Sequence, residues 1–124
     1  GIKTIEGYRS YVTVNGGMTD NPRYALYKAP YTVVPASQMN DAREFTCTVA
    51  GRCCESGDLI QENTQLQTPA VGDILAVLST GAYNYSMASN YNRVPRLPVV
   101  MVRGGEDSLA VRRETYEDLV RNDV

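Results

Sequence analysis

Hydrophobic and polar positions fall into short runs along this chain, and the runs read mostly as strands. Tyr8–Asn15, Tyr31–Pro35, Glu44–Val49, Asp73–Leu78, Pro98–Arg103 and Ser108–Arg113 are rich in Val, Thr and Tyr, with turn-prone residues between them. Branched and aromatic side chains suit a pleated, half-buried surface, so each run predicts a short strand. This spacing predicts a small β-barrel or sandwich. Gly104-Gly105-Glu106-Asp107 joins the last two runs as a hairpin. Thr115-x-x-Asp118 has the spacing of a reciprocal cap and predicts a short terminal helix with Leu119 and Val120 as its apolar contacts. Asn21-Pro22 predicts another helix start, an amide cap followed by a proline at the first position, which sets Arg23 and Tyr27 one turn apart on one face.

The length of 124 residues makes one domain, 1–124, with room for a real core but too short for a barrel enzyme with its own cofactor site. Acids and bases are mixed, the formal charge is -2 and no basic run occurs, so nucleic acid and anionic membranes are not expected partners. No apolar stretch approaches the roughly 18 to 20 residues of a membrane span, and no signal layout opens the chain. A soluble protein is expected. Cys47, Cys53 and Cys54 give an odd count with two adjacent, and adjacent cysteines close a disulfide only under strain; a reducing cytoplasmic setting fits them. Without histidine or a Cys-x-x-Cys spacing, no metal is expected. The chain opens at Gly1-Ile2-Lys3 without methionine, as a fragment of a longer protein would.

Candidate chemistry concentrates in three polar segments that no strand pattern requires. Cys54-Glu55-Ser56-Gly57-Asp58 sets a thiol beside a carboxylate on a glycine-punctuated bend. Gly16–Arg23 and Gly81–Asn92 crowd small, amide and phenol groups into turn-prone positions. Arg23 could grip a carboxylate in a bidentate fork with Tyr27 adding a hydroxyl, Glu55 could hold an ammonium and Cys54 could exchange a proton, a set that suits an amino-acid substrate. The residues alone leave a plainer reading open. Arg23 would then be a solvated charge, Tyr27 a packing residue, Cys54 a small core residue, Glu55 a turn cap, and the Tyr83–Tyr91 run a packed loop.

Gly16-Gly17-Met18-Thr19-Asp20-Asn21-Pro22-Arg23-Tyr24-Ala25-Leu26-Tyr27, then Cys54-Glu55-Ser56-Gly57-Asp58, then Gly81-Ala82-Tyr83 with Ser86–Asn92, resemble the diaminopimelate decarboxylases in three blocks and in order. The likeness runs from about Tyr8 to near Arg103. It implies a mainly β fold, a small Greek-key barrel or sandwich with short helices, that forms the C-terminal domain of a two-domain enzyme. Its N-terminal (β/α)8 barrel, absent here, would carry the cofactor lysine. The resemblance further implies pyridoxal 5'-phosphate as cofactor, conversion of meso-2,6-diaminopimelate to L-lysine and carbon dioxide, and a homodimer with shared active sites. By that resemblance Arg23 and Tyr27 bind a substrate carboxylate, Glu55 reads the distal amino group, Cys54 donates the proton that replaces carbon dioxide, and Tyr83 contacts cofactor and substrate. The cofactor would act as an electron sink, leaving the protein to choose the bond and supply the proton.

Asn84 follows Tyr83 where that family commonly has glycine, which bears on the backbone around Tyr83. The only lysines, Lys3 and Lys28, lie outside the cofactor-lysine setting of the family, so the chain alone is expected to be inactive. Two other readings stand beside this one: a related decarboxylase domain acting on ornithine, arginine or carboxynorspermidine, and a non-catalytic β-module for dimerisation or binding.

Overall fold

The computed structural model describes residues 1–124 and is mainly β, as the residue pattern predicts. Eight strands occur: β1 (Ile2–Ile5), β2 (Arg9–Thr13), β3 (Val33–Pro35), β4 (Phe45–Ala50), β5 (Leu59–Leu66), β6 (Leu75–Val77), β7 (Val99–Arg103) and β8 (Glu106–Val111). Their ladders form a four-stranded sheet in the order β1-β2-β4-β5 and two two-stranded sheets, β3-β6 and β7-β8. β2 and β4 run parallel, so the chain between them must cross over, and that crossover carries α1 (Arg23–Tyr27) and β3. The small β3-β6 sheet closes over the large one. Val12, Val33, Cys47, Val49, Ile60 and Leu66 form the buried core, with Val14, Phe45, Leu75 and Val77 packed against it. Burial pushes the Cys47 thiol up to about 11, which makes it a core apolar group and not a nucleophile.

Each predicted run overlaps a strand: four runs enclose theirs, β4 extends one residue past its run to Ala50, and β8 begins two residues before its run, at Glu106. β1 and β5 are additional. β5 is the longest strand, yet its centre reads Gln61-Glu62-Asn63-Thr64-Gln65, and its burial does not alternate cleanly. The cause is a bulge: Cys47 pairs with Thr64 and Val49 with Gln61, while Asn63 takes φ +49. One extra β5 residue there, and a second between the Val49–Gln61 and Ala50–Leu59 pairs, each switch which face the following side chains meet, so the two-residue period is lost in the sequence. The β7–β8 hairpin turns through Gly104 and Gly105, both at positive φ, where a side chain would be strained. Thr115 and Asp118 make the full reciprocal cap of α3 (Tyr116–Val120), with the Thr115 hydroxyl accepting from the Asp118 amide. No helix is long and apolar enough to cross a membrane.

Candidate functional site

α1 places Arg23 at its first residue and Tyr27 at its last, on one face as the spacing predicts. Pro22 occupies the cap position, and Asn21 supports it from one residue further back by accepting from the Arg23 amide through Oδ1 at 3.3 Å. A five-residue helix has little stability of its own. Tyr24 therefore anchors it: this buried side chain donates its hydroxyl to Glu62 Oε2 on β5 at 2.8 Å, and Arg9 on β2 donates to Glu62 Oε1 at the same distance. The Tyr24 and Arg9 bonds hold the Glu62 carboxyl below the ordinary range, and Lys28 lies 3.5 Å away.

The anchored helix presents Arg23 between two phenols. Its guanidinium lies 5.7 Å from the centre of the Tyr27 ring and 5.1 Å from that of Tyr83. It forms no ion pair within the chain. Tyr83 precedes α2 (Asn84–Met87) at φ +71, a conformation that an L residue holds only at a cost, and its ring is 66% exposed. Asn84 explains how the loop is held. It is buried, takes a helical backbone and donates from Nδ2 to the Thr80 carbonyl at 2.7 Å and to the Tyr31 hydroxyl at 3.3 Å. The positive φ thus falls on Tyr83 and not on the residue where the family commonly carries glycine.

Cys54 and Glu55 occupy an exposed bend between β4 and β5. The Cys54 amide donates to Asn92 Oδ1 at 2.8 Å, and the Tyr91 hydroxyl donates to the Cys54 carbonyl at 3.4 Å. The Cys54 thiol is free and exposed. Glu55 Oε1 accepts from the Gly57 amide at 2.9 Å, which leaves the other carboxylate oxygen open to solvent. No hydrogen bond, ion pair or cation–π contact joins this bend to the Arg23, Tyr27 and Tyr83 cluster. The chain therefore presents two separate polar clusters, one cationic and phenolic, one acidic with a thiol.

A cofactor that carries a phosphate and a substrate that carries carboxylates both call for fixed cations and hydroxyl donors. The unpaired Arg23 fork with the exposed Tyr27 and Tyr83 phenols is such a donor set. Sequence reasoning left out the groups that orient these side chains: Tyr24, Glu62 and Arg9 under α1, Tyr91 and Asn92 beside Cys54, and Asp58 beneath the bend. Tyr24, Asp58, Tyr91 and Asn92 lay within the three blocks, whereas Glu62 stood in a polar run that gave no sign of its partners.

Residues 1–81 match the family described as pyridoxal-dependent decarboxylase, C-terminal sheet domain. The diaminopimelate decarboxylase of Bacillus subtilis is 52% identical over 122 residues, which is 98% of this chain and 28% of that enzyme. That of Synechocystis is 49% identical over 123 residues, 99% of this chain and 26% of the enzyme. The crystal structure of diaminopimelate decarboxylase from M. jannaschii superposes with a TM-score of 0.91 at 33% identity, covering all of this chain and 28% of that one. The chain thus spans just over a quarter of the length of the relatives it matches. With the family match over residues 1–81 and the superposition in agreement, the chain belongs to the pyridoxal-dependent decarboxylases, as their C-terminal sheet domain.

Proposed function

We propose that residues 1–124 are the C-terminal β-domain of a diaminopimelate decarboxylase, the enzyme that converts meso-2,6-diaminopimelate to L-lysine and carbon dioxide. The observation that carries this reading is the Arg23 guanidinium, held between Tyr27 and Tyr83 with no carboxylate of its own chain to neutralise it. A fork prepared in this way fits the free carboxylate of an amino acid, and the open oxygen of Glu55 complements the ammonium beside it. The likeness to two diaminopimelate decarboxylases at close to one half identity supports the same substrate.

Pyridoxal phosphate, when bound, supplies the electron sink for the reaction. This chain's residues would do the rest of the selecting. Arg23 and Tyr27 orient the substrate carboxylate, Tyr83 bears on both cofactor and substrate, and Glu55 excludes substrates without a distal cation. Cys54 holds a proton on Sγ to deliver once carbon dioxide has left. Two half-sites without mutual contact in one chain support a homodimer in which the Cys54–Glu55 bend of one subunit completes the site of the other. Three free thiols suit a reducing cytoplasm.

The test is carbon dioxide release by the full-length enzyme with added pyridoxal phosphate, offered meso-diaminopimelate, its L,L-isomer, ornithine and arginine. Selective turnover of the meso compound is expected. Turnover of ornithine or arginine alone would keep the family and overturn the substrate, and no turnover of any of the four would favour a binding module.

A further inference from the structure

Asp58 is the only carboxylate among the buried residues, 3% exposed, and no arginine or lysine pairs with it. Backbone amides take the place of a counter-ion. Met18 donates to Oδ1 at 2.6 Å and Cys53 to Oδ2 at 2.7 Å. The Asp58 main chain joins in, its carbonyl accepting from Gly51 at 2.8 Å and its amide donating to the Glu55 carbonyl at 3.0 Å. Two glycines give the carboxylate its space. A Cβ on Gly17 would lie 2.6 Å from Oδ1, and a Cβ on Gly51 would collide with both oxygens.

A buried charge is a poor way to gain stability alone, because its removal from water must be offset bond by bond. Its distinct capability is to accept two directed bonds at once from two different segments. One segment ends at Cys53, immediately before Cys54 and Glu55. The other is the Gly17–Asp20 turn, whose next residue, Asn21, accepts from the Arg23 amide. The carboxylate thus stands at the joint between the two half-sites.

We propose that Asp58 is a positioning residue: it fixes the Cys54–Glu55 bend against the turn that leads into Arg23, and so aims Cys54 and Glu55 at substrate without touching it. The proposal rests on the reading of Cys54 and Glu55 as substrate-facing groups. Asparagine at 58 keeps the volume but turns an amide donor toward one of two N–H groups, so one clip is lost. Alanine at 51 leaves the charge and pushes it out of place.

The test uses the full-length enzyme loaded with pyridoxal phosphate, with Asp58→Asn, Gly51→Ala and Glu55→Gln prepared side by side. Kinetics are normalised to cofactor absorbance so that only folded, loaded sites are counted, and amide hydrogen exchange is followed by peptide. In Asp58→Asn, exchange is expected to quicken in peptides 16–20 and 51–58 but not in 45–49, with kcat/KM per loaded site lower by about 100-fold, the scale of a 1 Å misplacement. Gly51→Ala is expected to behave alike, and it carries the test if Asp58→Asn yields no folded protein. Localised fast exchange with normal kcat and KM per loaded site would overturn the proposal, since Asp58 would then serve the fold only. Unchanged exchange would overturn it as well. Glu55→Gln separates this from the functional reading: a normal Glu55→Gln enzyme removes that reading and the proposal with it, whereas an impaired one beside a normal Asp58→Asn enzyme overturns the proposal alone.

Discussion

Arg23 between Tyr27 and Tyr83 is a cation prepared for a partner that its own chain does not provide. Glu55 is its counterpart in sign, with one oxygen engaged by Gly57 and one open. Replacing Glu55 with glutamine is expected to raise KM for the diamino acid by about 10- to 100-fold, the worth of a hydrogen bond to a charged group, while cofactor binding followed by absorbance stays unchanged. An unaltered KM would remove its assigned role. Cys54→Ala is expected to lower kcat by about 100-fold or more, the scale of a positioned proton donor, with the cofactor spectrum intact. Full turnover in that variant would remove its assigned role, and its exposure already sets aside the reading of Cys54 as a core residue. All these side-chain types were legible in the sequence because they stand in three compact blocks. Their orientation was not, since it depends on residues far along the chain: Asn92 for Cys54, and Tyr31 through Asn84 for the loop of Tyr83.

α1 shows how an element too short to persist alone is kept in place. Its start was legible in Asn21-Pro22, and its support was not, because Glu62 lies on the one long strand whose bulge erases the two-residue pattern. Glu62→Gln is expected to lower the thermal midpoint of the protein by a few degrees and to raise KM through a looser Arg23. Its pH dependence has a defined sign. The folded state holds the Glu62 carboxyl below its ordinary range, chiefly through the Tyr24 and Arg9 hydrogen bonds, so the ionised form is the one that folding favours. That contribution is present in full above about pH 5 and is lost as pH falls through the folded value. Thermal unfolding of wild type and Glu62→Gln should therefore differ most near neutral pH and converge in acid. A constant gap across that range would show that packing, not charge, anchors the helix. The β7–β8 hairpin and the cap of α3 were legible for the opposite reason: Gly104-Gly105 and Thr115-x-x-Asp118 complete their geometry within a few neighbouring residues.

For the molecule as a whole, the proposed division into two half-sites sets what one chain is expected to accomplish. Lys3 stands exposed on β1, and Lys28 lies beside the Tyr24 ring and Glu62, so neither is placed with the Arg23 cluster to carry a cofactor. The 124-residue chain with added pyridoxal phosphate is expected to release no carbon dioxide from meso-diaminopimelate; measurable release would contradict the two-domain reading. Mixing a Glu55→Gln enzyme with one that lacks its cofactor lysine is expected to restore part of the activity, because one hybrid site would be intact. No recovery would mean that each subunit builds its site alone. The space around Asp58 also binds distant positions of the chain into a single unit of inheritance. Gly17 and Gly51 are confined to their size by one side chain, which reaches Gly51 across the bend and Gly17 from far along the chain. A side chain at Gly17 or Gly51 is therefore tolerated only once the carboxylate at 58 has been shortened or moved, so a change at either glycine depends on what stands at position 58.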